Sequence, residues 1–284
     1  MNLLSVTRKY KREKRRGLLG LVETAILGTI QGLTEWLPIS STGHLKVAEH
    51  FLHFLGTQDS LLFEFTLHIG TLLVVLFFFR EDIKKILAAL GRLDFKTEHG
   101  RLIPLIVIGT IPAVAIGFLL KELVEQAFQN MLSIALAFIV FGLVLYLSKT
   151  GKEEKDAIGY STAIIIGIAE GLAIIPGISR SGATIAIALL SGIKREKAFK
   201  FSFLLSIPAI IGAIGYTAYK DYGALATAGL GWTEILVGII VAMIVGFLAI
   251  KLLWKILAKK KFHFFALYCW LFGIALIAFS LSGF

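Results

Sequence analysis

GTIQGLTEWLPISSTG, residues 28–43, and GIAEGLAIIPGISRSG, residues 167–182, decide how this chain is read. At one constant offset Gly28, Gly32, Leu33, Ile39, Ser40 and Gly43 meet Gly167, Gly171, Leu172, Ile178, Ser179 and Gly182. Gln31 meets Glu170, Thr42 meets Ser181, and Pro38 falls one place from Pro176. Shared Gly, Ser and Pro are more telling than shared Leu and Ile, which any apolar chain supplies by chance. Proline removes an N–H donor and breaks a helix, so each stretch reads as a helix, a break and a second helix. Gly-x-x-x-Gly in each copy (Gly28/Gly32, Gly167/Gly171) lets backbones approach closely. Two helical hairpins that enter a membrane and turn back are expected at residues 18–54 and 158–193. Broken backbone survives at membrane depth only when buried in protein or facing a wet cavity.

Outward from the hairpins, six stretches are long and apolar enough to cross a bilayer, near residues 61–79, 102–120, 131–148, 201–219, 232–257 and 262–281. Hydrophobic residues make up 57% of the 284 and charged residues 17%. A soluble domain needs more polar surface than that to cover its core. Such a composition excludes a disordered chain, a disulfide scaffold and a soluble nucleic-acid binder; the single cysteine, Cys269, cannot pair within the chain. The expected fold is all-α and integral to the membrane: six transmembrane helices plus two re-entrant hairpins. Three spans separate the two copies, and an odd number inverts the second, giving an inverted-topology repeat of the transporter kind. The divisions are a basic N-terminal tail at 1–17, a first repeat at 18–148 and a second at 158–284.

Charge sets the sidedness. Four connections, at 80–101, 149–157, 194–200 and 255–261, hold seventeen Lys and Arg; the alternate ones, at 121–130 and 220–231, hold two. Basic loops stay cytoplasmic, so the C-terminus is expected outside. The tail carries seven Lys or Arg against Glu13 and reads as a juxtamembrane segment for acidic lipid rather than a nucleic-acid arm. It does not read as a signal peptide, since Glu23 interrupts the following apolar stretch and no small-x-small cleavage site follows at the right distance. An inverted first hairpin puts this tail outside, against the charge rule, so it reads as an atypical extension.

Ionisable residues in apolar segments are functional candidates because burying them is costly. Gln31 and Glu35 share a helix face. Glu35 suits a metal ligand, a general base or the orienter of a histidine. Ser40, Ser41 and Thr42 follow the break after Pro38, with His44 one turn into the next helix; hydroxyls and N–H groups at a helix start suit an anion. Ser41 or His44 would attack or activate water. In the second copy Ser179, Arg180, Ser181 and Thr184 repeat the design with a guanidinium that forks onto phosphate, paired with Glu35 or Glu170. Glu64 is a weaker candidate, and His50, His53, His68, His99 and His263 stay unassigned. Together these residues suit hydrolysis of a phosphate group on a lipid, with Arg180 stabilising the transferred phosphoryl group.

GLTEWLPISSTGH (residues 32–44), PGISRSGAT (176–184) and FSFLLSIPAIIGA (201–213) closely resemble signature segments of the undecaprenyl-diphosphatase family, the bacitracin-resistance proteins. The likeness extends over residues 18–284. It implies an enzyme of the bacterial cytoplasmic membrane that hydrolyses undecaprenyl pyrophosphate to undecaprenyl phosphate and phosphate. That reaction recycles the carrier lipid of peptidoglycan synthesis, and the site would face the periplasm. The resemblance implies Glu35, Ser41, His44 and Arg180 as the catalytic set, with serine or histidine as nucleophile. Gln31, Ser40, Thr42, Ser179, Ser181 and Thr184 are expected to bind the pyrophosphate. It also implies a divalent cation, Mg²⁺ or Ca²⁺, with Glu35 as its ligand; Gln31 removes one carboxylate that a two-carboxylate site would use. The expected partner is a polyprenyl pyrophosphate lipid, with no nucleic acid, and oligomeric state stays open, a homodimer included. The competing reading is a polyprenyl-phosphate transporter or flippase, which would move lipid without releasing phosphate.

Overall fold

The computed structural model describes residues 3–52, 57–220, 223 and 231–282. Residues 53 and 54 of the first expected hairpin, most of the connection 220–231 and the last two residues lie outside them. Among the described residues there is no β-strand; a lone parallel bridge between Lys155 and Ile193 closes the base of the second hairpin.

The first hairpin is α1 (Leu3–Trp36), a break at 37–40, and α2 (Ser41–Leu52). α1 runs through the basic stretch without interruption. Next come α3 (Thr57–Phe78), α4 (Arg80–Gly91), α5 (Leu102–Ala127) and α6 (Met131–Leu147). The second hairpin is α7 (Tyr160–Leu172) and α8 (Arg180–Leu190), and α9 (Arg195–Lys220), α10 (Trp232–Ala258) and α11 (Phe265–Leu281) complete the chain. Five helical stretches are long and apolar enough to span a membrane alone. The expected span at 61–79 qualifies only jointly with α4, from which it is bent by 77°, so the described residues hold five or six candidate spans.

Close backbone contact explains where the hairpins dock. α1 lies along α10, where a Cβ on Gly28 would come 2.6 Å from the Gly238 carbonyl oxygen and one on Gly32 2.6 Å from that of Ala242. α7 lies along α5, where Gly167 meets Gly109 and Gly171 meets Ala113 in the same way. The apolar side chains left exposed on the outer faces, such as Val107, Ile111 and Leu119 on α5 and Ile240, Ile244 and Leu248 on α10, are those a bilayer would cover. Inside, Trp36 is 1% exposed and stacks on Phe203 at 5.1 Å, with Phe199 4.5 Å beyond. This aromatic cluster fixes the end of α1, where the site begins.

The four basic connections gather at one end of the bundle. Glu98 pairs with Lys197, Glu153 with Arg195, and Arg195 donates to the Leu257 carbonyl at 2.7 Å. Asp82 binds Lys200 at 2.8 Å. The Lys197 ammonium beside Glu98 holds that carboxyl below the usual carboxylate range.

Candidate functional site

Where α1 stops, its last carbonyls lack helical partners, and the second hairpin supplies them. Ser181 Oγ donates to the Trp36 carbonyl at 3.0 Å and Ser179 Oγ to that of Leu37 at 3.2 Å. In return the Gly177 N–H donates to Ser40 Oγ at 3.0 Å. Ser40 itself sits at φ 66°, a left-handed conformation a serine adopts only when its surroundings hold it there. Its carbonyl accepts from His44 Nδ1 at 2.7 Å. Gly182 lies so close to Pro38 that an added Cβ would come 2.8 Å from the proline ring. The two breaks are thus one joint.

At this joint sits Glu35, 6% exposed. One carboxylate oxygen pairs with the Arg180 guanidinium, from the other hairpin. The second accepts from Ser41 Oγ at 2.6 Å and from Gln31 Nε2 at 3.1 Å. His68 Nε2 stands 3.9 Å from it. Removing either member of such a buried pair leaves the other charge stranded. The group opens into a cavity of about 530 Å³. Its polar wall includes Glu35, Ser41, Thr42, Ser179 and Arg180; Val114, Phe118 and Ile214 of α5 and α9 make part of the apolar wall.

Other expected site residues are used differently. Ser40 and Ser181, and Ser179 in part, spend hydrogen bonds on fastening the breaks, and Thr184 Oγ1 donates back to the Arg180 carbonyl at 2.9 Å. Ser40, Ser181, Thr184 and Gln31 do not line the cavity. Arg180 takes Glu35 as partner; Glu170 also lines the cavity, without a hydrogen bond among the described residues.

Histidine holds the largest difference from the sequence reading. His44 does not line the cavity, and its ring nitrogens bond the Ser40 carbonyl and the Tyr268 hydroxyl rather than Glu35. Its Nδ1–H donates to the Ser40 carbonyl, which leaves Nε2 to accept from the Tyr268 hydroxyl at 2.7 Å. The ring stacks on Phe272 with centroids 4.4 Å apart. His68, which the sequence left unassigned, lines the cavity instead. Its Nδ1 is tied to the Glu64 carbonyl at 2.8 Å, so Nε2 points its free position toward Glu35. The signal for it was present: Glu64 and His68 form a polar i,i+4 pair inside an apolar span.

Among the described residues, no three or more His, Cys, Asp or Glu side chains converge as metal ligands. Both Glu35 oxygens are already engaged. Among the described residues, protein side chains alone do not assemble a divalent-cation site.

The family model described as bacitracin resistance protein BacA matches residues 24–275. Undecaprenyl-diphosphatase of Desulforapulum autotrophicum is 40% identical over 271 residues, covering 89% of this chain and 96% of the relative. That of Carboxydothermus hydrogenoformans is 39% identical (92% and 98% covered), and that of Methanosphaera stadtmanae 40% (93% and 99%). Matched along nearly its whole membrane portion, with a carboxylate, a serine and an arginine converging on one cavity, the chain belongs to the BacA family of bacitracin-resistance proteins.

Proposed function

We infer that this chain is an undecaprenyl-diphosphatase: it hydrolyses undecaprenyl pyrophosphate to undecaprenyl phosphate and phosphate. The observation that carries the chemistry is the Arg180–Glu35–Ser41 group at the junction of the two breaks. Ser41 is the nucleophile. Its proton already points at Glu35 Oε2, the arrangement of a hydroxyl beside its general base. Arg180 hydrogen-bonds Glu35 through one nitrogen and, lining the cavity, has further donors for the phosphoryl oxygens, where charge develops. Thr42 and Ser179, on the cavity wall, bind the diphosphate. His44 is a positioning residue that ties the first turn of α2 to α11. The prenyl chain lies against Val114, Phe118 and Ile214.

We also propose the inverted repeat, with domains at 18–148 and 158–284 after a basic segment at 1–17. It is supported by the matched seams: Gly28 and Gly32 against Gly238 and Ala242, Gly167 and Gly171 against Gly109 and Ala113. A cytoplasmic membrane with the site facing the periplasm is the reading that fits charge. The basic connections cluster at one end, while Lys121 and Glu125, in the last two turns of α5 beside the sparsely basic connection, line the cavity.

The test is phosphate release from a long polyprenyl pyrophosphate by purified protein in detergent. Release by the wild type is expected, and transport of lipid without release would replace hydrolysis by the flippase. A requirement for Mg²⁺ or Ca²⁺ would need the diphosphate itself to supply ligands; chelation with EDTA, then cation add-back, measures it.

A further inference from the structure

Glu170 is a buried acid that the chemistry above leaves unused. It lies near the end of α7, is 5% exposed and lines the same cavity as Ser41 and Arg180. Neither carboxylate oxygen has a hydrogen-bond partner among the described residues. Arg180 acts on it electrostatically but gives its hydrogen bond to Glu35. An ionised carboxylate with both oxygens unsatisfied is expensive to bury; the neutral acid costs less and has a proton to give. The sequence match is instructive. Glu170 stands where the first copy has Gln31. The amide donates to Glu35, supporting the base, and the acid is left facing the cavity.

We propose that Glu170 is the general acid of the reaction, hydrogen-bonding the oxygen that bridges the two phosphorus atoms and protonating it as it leaves. The proposal rests on the diphosphatase reading and deepens it. In the first step Ser41 Oγ bonds to the terminal phosphorus and its proton passes to Glu35. The bond from that phosphorus to the bridging oxygen breaks. Its electron pair stays on the oxygen, which takes the Glu170 proton and departs as lipid monophosphate. In the second step water attacks the phosphoserine, its proton staying on the released phosphate, and the Glu170 carboxylate regains its proton from solvent. Ser41 Oγ leaves with the proton held by Glu35, and both acids return to their starting states.

The test compares wild type and Glu170→Gln on two substrates, a polyprenyl diphosphate and its analogue with sulfur at the bridging position. The amide keeps a donor but has no proton to transfer. On the oxygen substrate kcat is expected to fall about 10²-fold, with KM within about threefold. On the sulfur substrate, whose leaving thiolate needs no proton, the variant should come within about threefold of the wild type. Unchanged kcat on the oxygen substrate, or an equal loss on both, overturns the proposal. Should the variant misfold, the wild type alone decides: the solvent deuterium isotope effect on kcat should be larger with the oxygen bridge, where two protons move, than with sulfur, where only the Ser41 proton does, and equal effects overturn the assignment. A wild type that releases no phosphate from the oxygen substrate removes the diphosphatase reading itself, whereas an active wild type with an unaffected variant removes Glu170 alone.

Discussion

The two helix breaks share a sequence pattern and almost nothing of their chemistry. Where the first has Ser41, the second has Arg180; where the first has Glu35, the second has Ile174; and Gln31 faces Glu170 across the match. Even the strained backbone is placed differently, at Ser40 (φ 66°) in one and at Gly177 (φ 103°) in the other. Shared glycines and serines close the joint, while of the residues that differ Glu35, Ser41, Glu170 and Arg180 face the cavity. Neither break is a site alone: one brings Glu35 and Ser41 to the cavity, the other Arg180 and Glu170.

The sharpest way to break this division is Ser41→Ala, which removes the hydroxyl and leaves the joint untouched. Phosphate release should fall roughly 10³-fold or more while the protein still folds. An active variant would return the nucleophile to His44. Arg180→Ala should cost about 10²-fold to 10³-fold in kcat and destabilise the fold by about 3 kcal/mol, because Glu35 is left charged and buried. A double Glu35→Gln, Arg180→Met variant should melt higher than the single arginine variant, although it is inactive; a lower melting point would mean that the pair does not couple the breaks.

His44→Ala and Tyr268→Phe probe the joint rather than the chemistry. Each should lower stability by about 1 kcal/mol and kcat by no more than about tenfold. A loss as deep as that of Ser41→Ala would make His44 a catalytic residue. The smallest expected effects on kcat lie at the seams. Gly28→Ala and Gly167→Ala should each destabilise by about 1–3 kcal/mol in thermal melting. Similar values at both sites would support the symmetry of the repeat, and a tolerated alanine at either would break it.

Much of this was legible beforehand because its causes are local. Composition requires lipid around the helices, Pro38 and Pro176 require breaks, and a Glu and an Arg in apolar hairpins require each other or a ligand. The sixth span was less clear, since the bend between α3 and α4 divides what hydropathy reads as one stretch. The hydroxyls misled in the opposite way: Ser and Thr at a helix start suit an anion, yet the same groups cap a neighbouring helix equally well.

The sequence by itself determined a helical membrane protein with two broken hairpins and the residue types of a phosphate site. Periodicity and the cost of burying charge act on each segment wherever it packs. Only the tertiary structure decided that Arg180 meets Glu35 across 145 residues and leaves Glu170 open, that His44 turns to Tyr268, and that His68 faces the carboxylate. Those outcomes depend on which helix faces are brought together and which way each side chain leans from its backbone, a geometry fixed by close contacts such as Gly28 on Gly238 and Gly182 on Pro38.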